Sequence, residues 1–165
     1  MSLADGGIVA LREFLSYSDR IWEKTLFCEE SEGFVVTSRK RIADAKKNKQ
    51  EMEKFLKEQR MCKTFASFGF QIEHLSEMHG VGSPDVLVVN SPYGDKCVLA
   101  DLKSTSSSNN IQSYAKRAVR KQRARLVLFE FTRPSRGIIK ALKELTHKGI
   151  RGYYYRLNQD VCGRY

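Results

Sequence analysis

A chain of 165 residues can bury one sizeable core with appendages, and its 29 Lys and Arg against 19 Asp and Glu leave a net charge of +10, which suits a polyanionic partner. Its four cysteines are scattered with no Cys-x-x-Cys pair, which argues against a zinc ribbon or a disulfide framework. There is neither a basic-then-apolar leader nor an apolar run long enough to span a bilayer, so the chain reads as cytoplasmic, with no signal peptide and no membrane partner.

Ile8, Leu11, Phe14 and Leu15, then Ile21, Trp22 and Leu26, recur at helical spacing, which predicts two short helices split near Ser16 to Asp19. Glu29 to Gly33 reads as a turn and Phe34-Val35-Val36 as a short strand. The basic stretch Arg39 to Lys49, interrupted by Asp44, reads as an exposed helical lead-in. Residues 1–49 are therefore expected to form an N-terminal helical extension without a chemical motif, and residues 50–165 the main domain.

A helix is predicted over residues 50–66, with Phe55, Leu56, Gln59, Cys62, Lys63 and Ala66 on one side, Glu58 on its flank and Glu53 on the opposite flank. A short strand follows from Phe70 to Leu75, in which Glu73 alternates with Ile72 and His74 and is expected to face solvent. Pro84 to Val89 and Cys97 to Leu102 are apolar, β-branched-rich runs joined by Asn90-Ser91-Pro92-Tyr93-Gly94-Asp95, the signature of a hairpin. Asp85 opens the first run and Asp101 closes the second, so antiparallel pairing would bring them to one end of the sheet. Strand alternation puts Asp101 and Lys103 on one side and Leu102 on the other. A carboxylate on a buried strand is costly unless it is paired or binds a metal. Two acids and a lysine so placed can hold a cation and polarise a water, the equipment of a nuclease. His74, His79 and His147 form no metal spacing, and His79 lies near enough to Asp85 to touch a substrate.

The Ser104 to Asn110 run is expected to end by capping a basic helix over residues 109–122. Arg117, Arg120 and Lys121 fall at i, i+3 and i+4 on one flank, with no acid between Lys116 and Arg125. Such a stripe suits a phosphate backbone, and a solvated face is the alternative. A strand from Arg125 to Phe131, a further helix and a last strand at Gly152-Tyr153-Tyr154-Tyr155 complete the chain, the tyrosines packing in the sheet or stacking on bases.

Pro84-Asp85 followed by Asp101-Leu102-Lys103 resembles the PD-(D/E)XK nuclease superfamily, and the predicted order αβββαβ over residues 50–132 is similar to its core. Gly69-Phe70 after an acidic helix, Lys103-Ser104-Thr105, Asn110-Ile111 and a late Gln122 resemble more closely the toxin nuclease domains at the C-termini of bacterial contact-dependent growth inhibition proteins, also appended to phage minor head proteins. Asp101 stands where many members carry Glu. The resemblance implies an α/β fold with a restriction-endonuclease-like core and a metal-dependent endonuclease. Its Mg²⁺ or Mn²⁺ would be held by Asp85, Asp101, the Leu102 carbonyl and a helix glutamate, with Glu58 first and Glu53 in reserve. Lys103 would orient the attacking water or stabilise the charge, with Thr105, Asn110 and Gln122 shaping the substrate pocket alongside Arg117, Arg120 and Lys121. The relatives favour structured RNA such as tRNA over DNA and imply a cognate immunity protein or a phage head as context. The rival classes are a non-catalytic nucleic-acid-binding module and a phage structural domain.

Overall fold

The computed structural model describes residues 2–77 and 82–165, the side chains of 2–6 excepted; His79 lies outside the described residues. The chain is mixed α/β and divides into two compact units, one of residues up to Ser76 with Val86–Cys97, the other of Glu77–Asp85 with Val98–Tyr165.

The first unit contains α1 (Ser2–Ser16), β1 (Trp22–Phe27), β2 (Phe34–Ser38), α2 (Arg39–Ala45), α3 (Lys49–Ser67), β3 (Gln71–His74) and β4 (Val86–Asn90). β1 pairs antiparallel with β2, β2 parallel with β3, and β3 antiparallel with β4. Residues 22–27 are thus a strand and not the second helix that the apolar spacing predicts. Trp22, Leu26 and Phe27 find partners along β2 across a register shift between Lys24 and Leu26, and that irregularity breaks the simple alternation by which a strand is recognised. The stretch before residue 50 is accordingly not all helical.

α3 starts because the Asn48 side chain accepts from the Glu51 N–H at 2.8 Å, with the Glu51 charge in the first turn. It stops because Gly69 takes a left-handed φ of 103°, letting the Gly69 N–H reach the Ala66 carbonyl and the Phe70 N–H that of Phe65. This turn drops Phe70 into the core against Phe65, ring centroids 5.2 Å apart, and a fully buried phenylalanine contributes roughly 1.5–3 kcal/mol. The buried face of α3 is Phe55, Glu58, Gln59, Met61, Cys62, Phe65 and Ala66. Glu58 is therefore inside that face, whereas Leu56 is 57% exposed and Lys63 is also exposed. Glu73 does not simply face solvent, since its Oε2 accepts from the Tyr17 hydroxyl at 2.7 Å. Burial and this bond to a carboxylate both push the Tyr17 phenol well above its ordinary pKa.

The second unit contains β5 (Lys96–Thr105) from Val98 onward, a 3-10 turn (Ser108–Asn110), α4 (Ile111–Lys121), β6 (Leu126–Phe131), α5 (Ile138–His147), β7 (Arg151–Arg156) and β8 (Cys162–Arg164). β5 runs parallel to β6 and β6 to β7, while β7 pairs antiparallel with β8, so the last strand is β8 and not the tyrosine run. Every residue of β6 is buried, as a strand with a parallel neighbour on each side requires. Ile111, Ala115 and Ala118 of α4 pack with Val127, Phe129 and Phe131 of β6 and with Ile138, Leu142 and Leu145 of α5. Asn110 does not cap α4: its amide donates to Thr105 Oγ1 at 3.3 Å, and Ser107 caps the 3-10 turn instead. No helix among the described residues is long and apolar enough to cross a membrane.

Candidate active site

β5 carries the central pair. Alternation along the strand brings Lys103 Nζ to 2.9 Å from Asp101 Oδ2, with the Asp101 carboxylate fully buried and the lysine side chain 19% exposed. A second group is aimed at the same carboxylate. The Gln122 amide, oriented with its nitrogen toward Asp101, donates to both carboxylate oxygens. Gln122 can do so because it is the C-cap residue of α4, where the helix ends against this strand. Asp101 is thus compensated by one charge and one amide, and a carboxylate with about four acceptor positions keeps room for one more partner.

Asp85 meets the backbone between Asp101 and Lys103. Its Oδ2 accepts from the Leu102 backbone N–H at 2.9 Å, which fixes the carboxylate beside β5. The segment leading to Asp85 passes so close to the end of α4 that a Cβ on Gly82 would sit 1.9 Å from the Lys121 carbonyl oxygen. Only glycine fits there, and the close approach holds Pro84-Asp85 near the helix end that supplies Gln122. Glu77, to which the sequence reading gave no role, places a carboxylate oxygen within 4.8 Å of one from Asp85. Two oxygens on one hard cation at about 2.0–2.6 Å are never more than roughly 5 Å apart, so this pair can share a divalent ion. The signal that could have found Glu77 is its place eight residues before Asp85, in the segment that follows β3.

The expected substrate-side residues fall into two groups. Thr105 Oγ1 accepts from the Ser107 N–H at 3.2 Å and from the Asn110 amide, so Thr105 and Asn110 stabilise the turn that leads from β5 into α4. Arg117, Arg120 and Lys121 are exposed on α4, with no carboxylate paired to them among the described residues.

Glu58, in the first unit, is only 5% exposed. Its Oε2 accepts from Arg41 Nη2 at 3.0 Å, and His74 Nε2 lies 3.6 Å from its Oε1. Burial would raise the Glu58 pKa, but the contact with His74 and the Arg41 charge outweigh it and hold the carboxyl below its ordinary range. Gln59 bridges His74 Nδ1 at 2.7 Å and Thr37 Oγ1 at 3.0 Å, which leaves the ring proton on Nε2, toward Glu58. Phe55 stacks on His74 at 5.5 Å and carries the Arg41 guanidinium 5.2 Å over its ring. Arg41 is 1% exposed, so the expected solvated lead-in buries one of its cations. Glu53 is exposed. A further buried acid, Glu130 on β6, is satisfied by the Ser104 and Tyr155 hydroxyls and is structural.

No protein-family model and no curated protein matches the sequence. In three dimensions the chain is similar to a chain of the CdiA-CT/CdiI toxin and immunity complex from Burkholderia pseudomallei, with a TM-score of 0.52 at 13% identity over 72% of this chain and 88% of that one. At that identity the likeness is one of fold: this α/β chain shares the architecture of a protein from a toxin and immunity complex.

Proposed function

We propose that the chain is a metal-dependent endonuclease with structured RNA, tRNA in particular, as its substrate. The observation that carries this reading is the buried Asp101 carboxylate held by Lys103 and Gln122 on one face of β5, beside an Asp85 locked to the Leu102 amide. Asp85 also has a carboxylate oxygen of Glu77 within 4.8 Å of one of its own, a pairing that a structural salt bridge on β5 does not need.

Asp85, Asp101, Glu77 and the Leu102 carbonyl would hold Mg²⁺ or Mn²⁺, whose preferred donors are hard oxygens; Glu58 belongs to the set on the strength of the resemblance. When bound, such an ion lowers the pKa of water and offsets the charge that builds on the phosphorus. Lys103 supplies a fixed positive charge beside the reacting phosphate and orients the attacking water. Gln122 holds both Asp101 oxygens in place, so the carboxylate need not reorganise during the reaction. The cations of α4 hold the backbone of the substrate. An immunity protein would be the physiological inhibitor.

The test is incubation with plasmid DNA, total RNA and tRNA, with and without Mg²⁺, followed by matched RNA and DNA oligonucleotides of identical sequence. Mg²⁺-dependent cutting of RNA alone is expected. Equal or faster cutting of the DNA oligonucleotide would overturn the RNA assignment and leave the nuclease standing. Absence of all cleavage would overturn the nuclease and favour a binding module or an immunity-type inhibitor, since the fold likeness is to a chain of a complex that holds both roles.

The basic helix makes its own prediction. Replacing Arg117, Arg120 and Lys121 together by Gln is expected to weaken nucleic-acid binding alike across sequences and to flatten the log affinity against log salt slope by up to about 3. An unchanged slope, measured by anisotropy titrations at several salt concentrations, would make that stripe an ordinary solvated face.

A further inference from the structure

A second face of α4 is built differently from the Arg117-Arg120-Lys121 flank. Lys116, Val119 and Arg120, at i, i+3 and i+4, share one side of the helix and, with Lys148 and Ile150, line a cleft of about 360 Å³. Its wall beyond α4 is well fixed. The Lys148 N–H closes α5 on the Glu144 and Leu145 carbonyls, and Gly149 then turns at φ 77° so that the Ile150 N–H also reaches Leu145. Lys148 Nζ donates to Gln112 Oε1 at 2.8 Å, and Gln112 is in turn held by the Ala141 carbonyl at 3.0 Å. The ammonium is therefore positioned by a neutral oxygen, which leaves its charge uncancelled. Among the described residues Glu144 is the one acid bonded to this network, and it meets the Gln112 amide at 3.4 Å. Among the described residues none of Lys116, Arg120 and Lys148 forms an ion pair.

Helix-end dipoles favour cations at Arg120 and Lys148, each in or next to the last turn of its helix, but not at Lys116 in mid-helix. Three like charges around one small cleft repel one another, and a bound anion removes that repulsion. The aliphatic side chains of Val119 and Ile150 between them suit the carbon framework of a sugar, which a bare phosphate lacks. Arg120 belongs to both faces of α4, so a chain of phosphates can pass from the exposed flank into the cleft. We propose that this cleft is a second nucleic-acid contact, taking one phosphodiester on Lys116, Arg120 and Lys148 and the adjoining sugar on Val119 and Ile150. The assignment rests on the nuclease reading for the identity of its ligand and adds an anchor away from the reacting carboxylates.

The test uses the intact protein in EDTA, so that binding is read without cleavage, with a fluorescent RNA hairpin and its DNA counterpart. The double variant Lys116→Gln/Lys148→Gln leaves the Arg117-Arg120-Lys121 stripe whole; its Kd for the hairpin is expected to rise about 5–20-fold and its salt slope to flatten by about 2. Val119→Asp, which removes no cation but puts a negative charge in the cleft, is expected to weaken binding in the same direction. Inorganic phosphate and a nucleoside monophosphate are titrated in parallel. Hairpin affinity within twofold of wild type in both variants would overturn the proposal. So would loss of phosphate binding with hairpin affinity retained, the mark of a free-phosphate site, or wild-type protein that binds neither hairpin. A wild type that binds but never cuts with Mg²⁺ would remove the nuclease reading alone, because the difference in affinity between wild type and variants is measured independently.

Discussion

Asp101→Asn is expected to keep the fold and to lower cleavage by two or more orders of magnitude, the scale on which a catalytic metal site is lost. The substitution is nearly isosteric, and its amide oxygen can still accept from Gln122 or Lys103, which both reach the carboxylate in the wild type. What it removes is the negative charge. Lys103, 19% exposed, can turn its ammonium toward water, so the cost to stability stays small against the cost to chemistry. Circular dichroism and thermal melting establish the folded state, and single-turnover cleavage with saturating Mg²⁺ reads the effect. A folded Asp101→Asn protein that cuts at close to the wild-type rate would sink the assignment of β5 as the catalytic strand. Titrating Mg²⁺ in the variant separates a weakened metal site, rescued at high concentration, from a lost one.

The elements around this strand were legible because their signals are local. α3, β3, β4, β5, α4 and β6 follow one another as the apolar periodicities predict, with boundaries displaced by one to three residues. Asp101 and Lys103 could be placed on one face of β5 from strand alternation alone, and their ion pair agrees. Contacts made across the chain left no such trace. Ile21, Trp22 and Leu26 fit a helix as well as a strand, and only pairing with β2 decides between them. β8 is three residues long, too short for any pattern. Glu130 sits in an apolar run just as Asp101 does, so the criterion of a carboxylate on a buried strand selects both; the hydroxyls of Ser104 and Tyr155, which make Glu130 structural, come from elsewhere in the chain. Arg41 belongs to a charged stretch of the kind that is solvated in most proteins, and its partner is 17 residues away on another helix.

That pair carries the largest expected effect on stability. Arg41→Met fills a similar volume but strands the Glu58 carboxylate, 5% exposed, without its guanidinium. Breaking a buried ion pair from one side costs about 3–5 kcal/mol, because the remaining charge stays desolvated. Urea unfolding at pH 7 is expected to show a loss of that size. The pH dependence follows from the direction in which Glu58 is shifted. In the wild type its folded pKa is depressed, so the stability that it contributes is present above the unfolded value near about 4.3 and is lost as pH falls through the lower folded value. In Arg41→Met the guanidinium's share of that lowering is gone while the His74 contact remains, so the folded pKa lies above that of the wild type and the carboxyl takes up a proton earlier on acidification. Protonation relieves the variant while the wild type is losing its advantage. The stability gap between the two proteins should therefore narrow on acidification, between the folded pKa of the variant and the lower one of the wild type, and Arg41→Met/Glu58→Gln should recover part of the loss at pH 7. A gap that stayed constant with pH would mean that Arg41 acts through packing on Phe55 and not through the charge of Glu58.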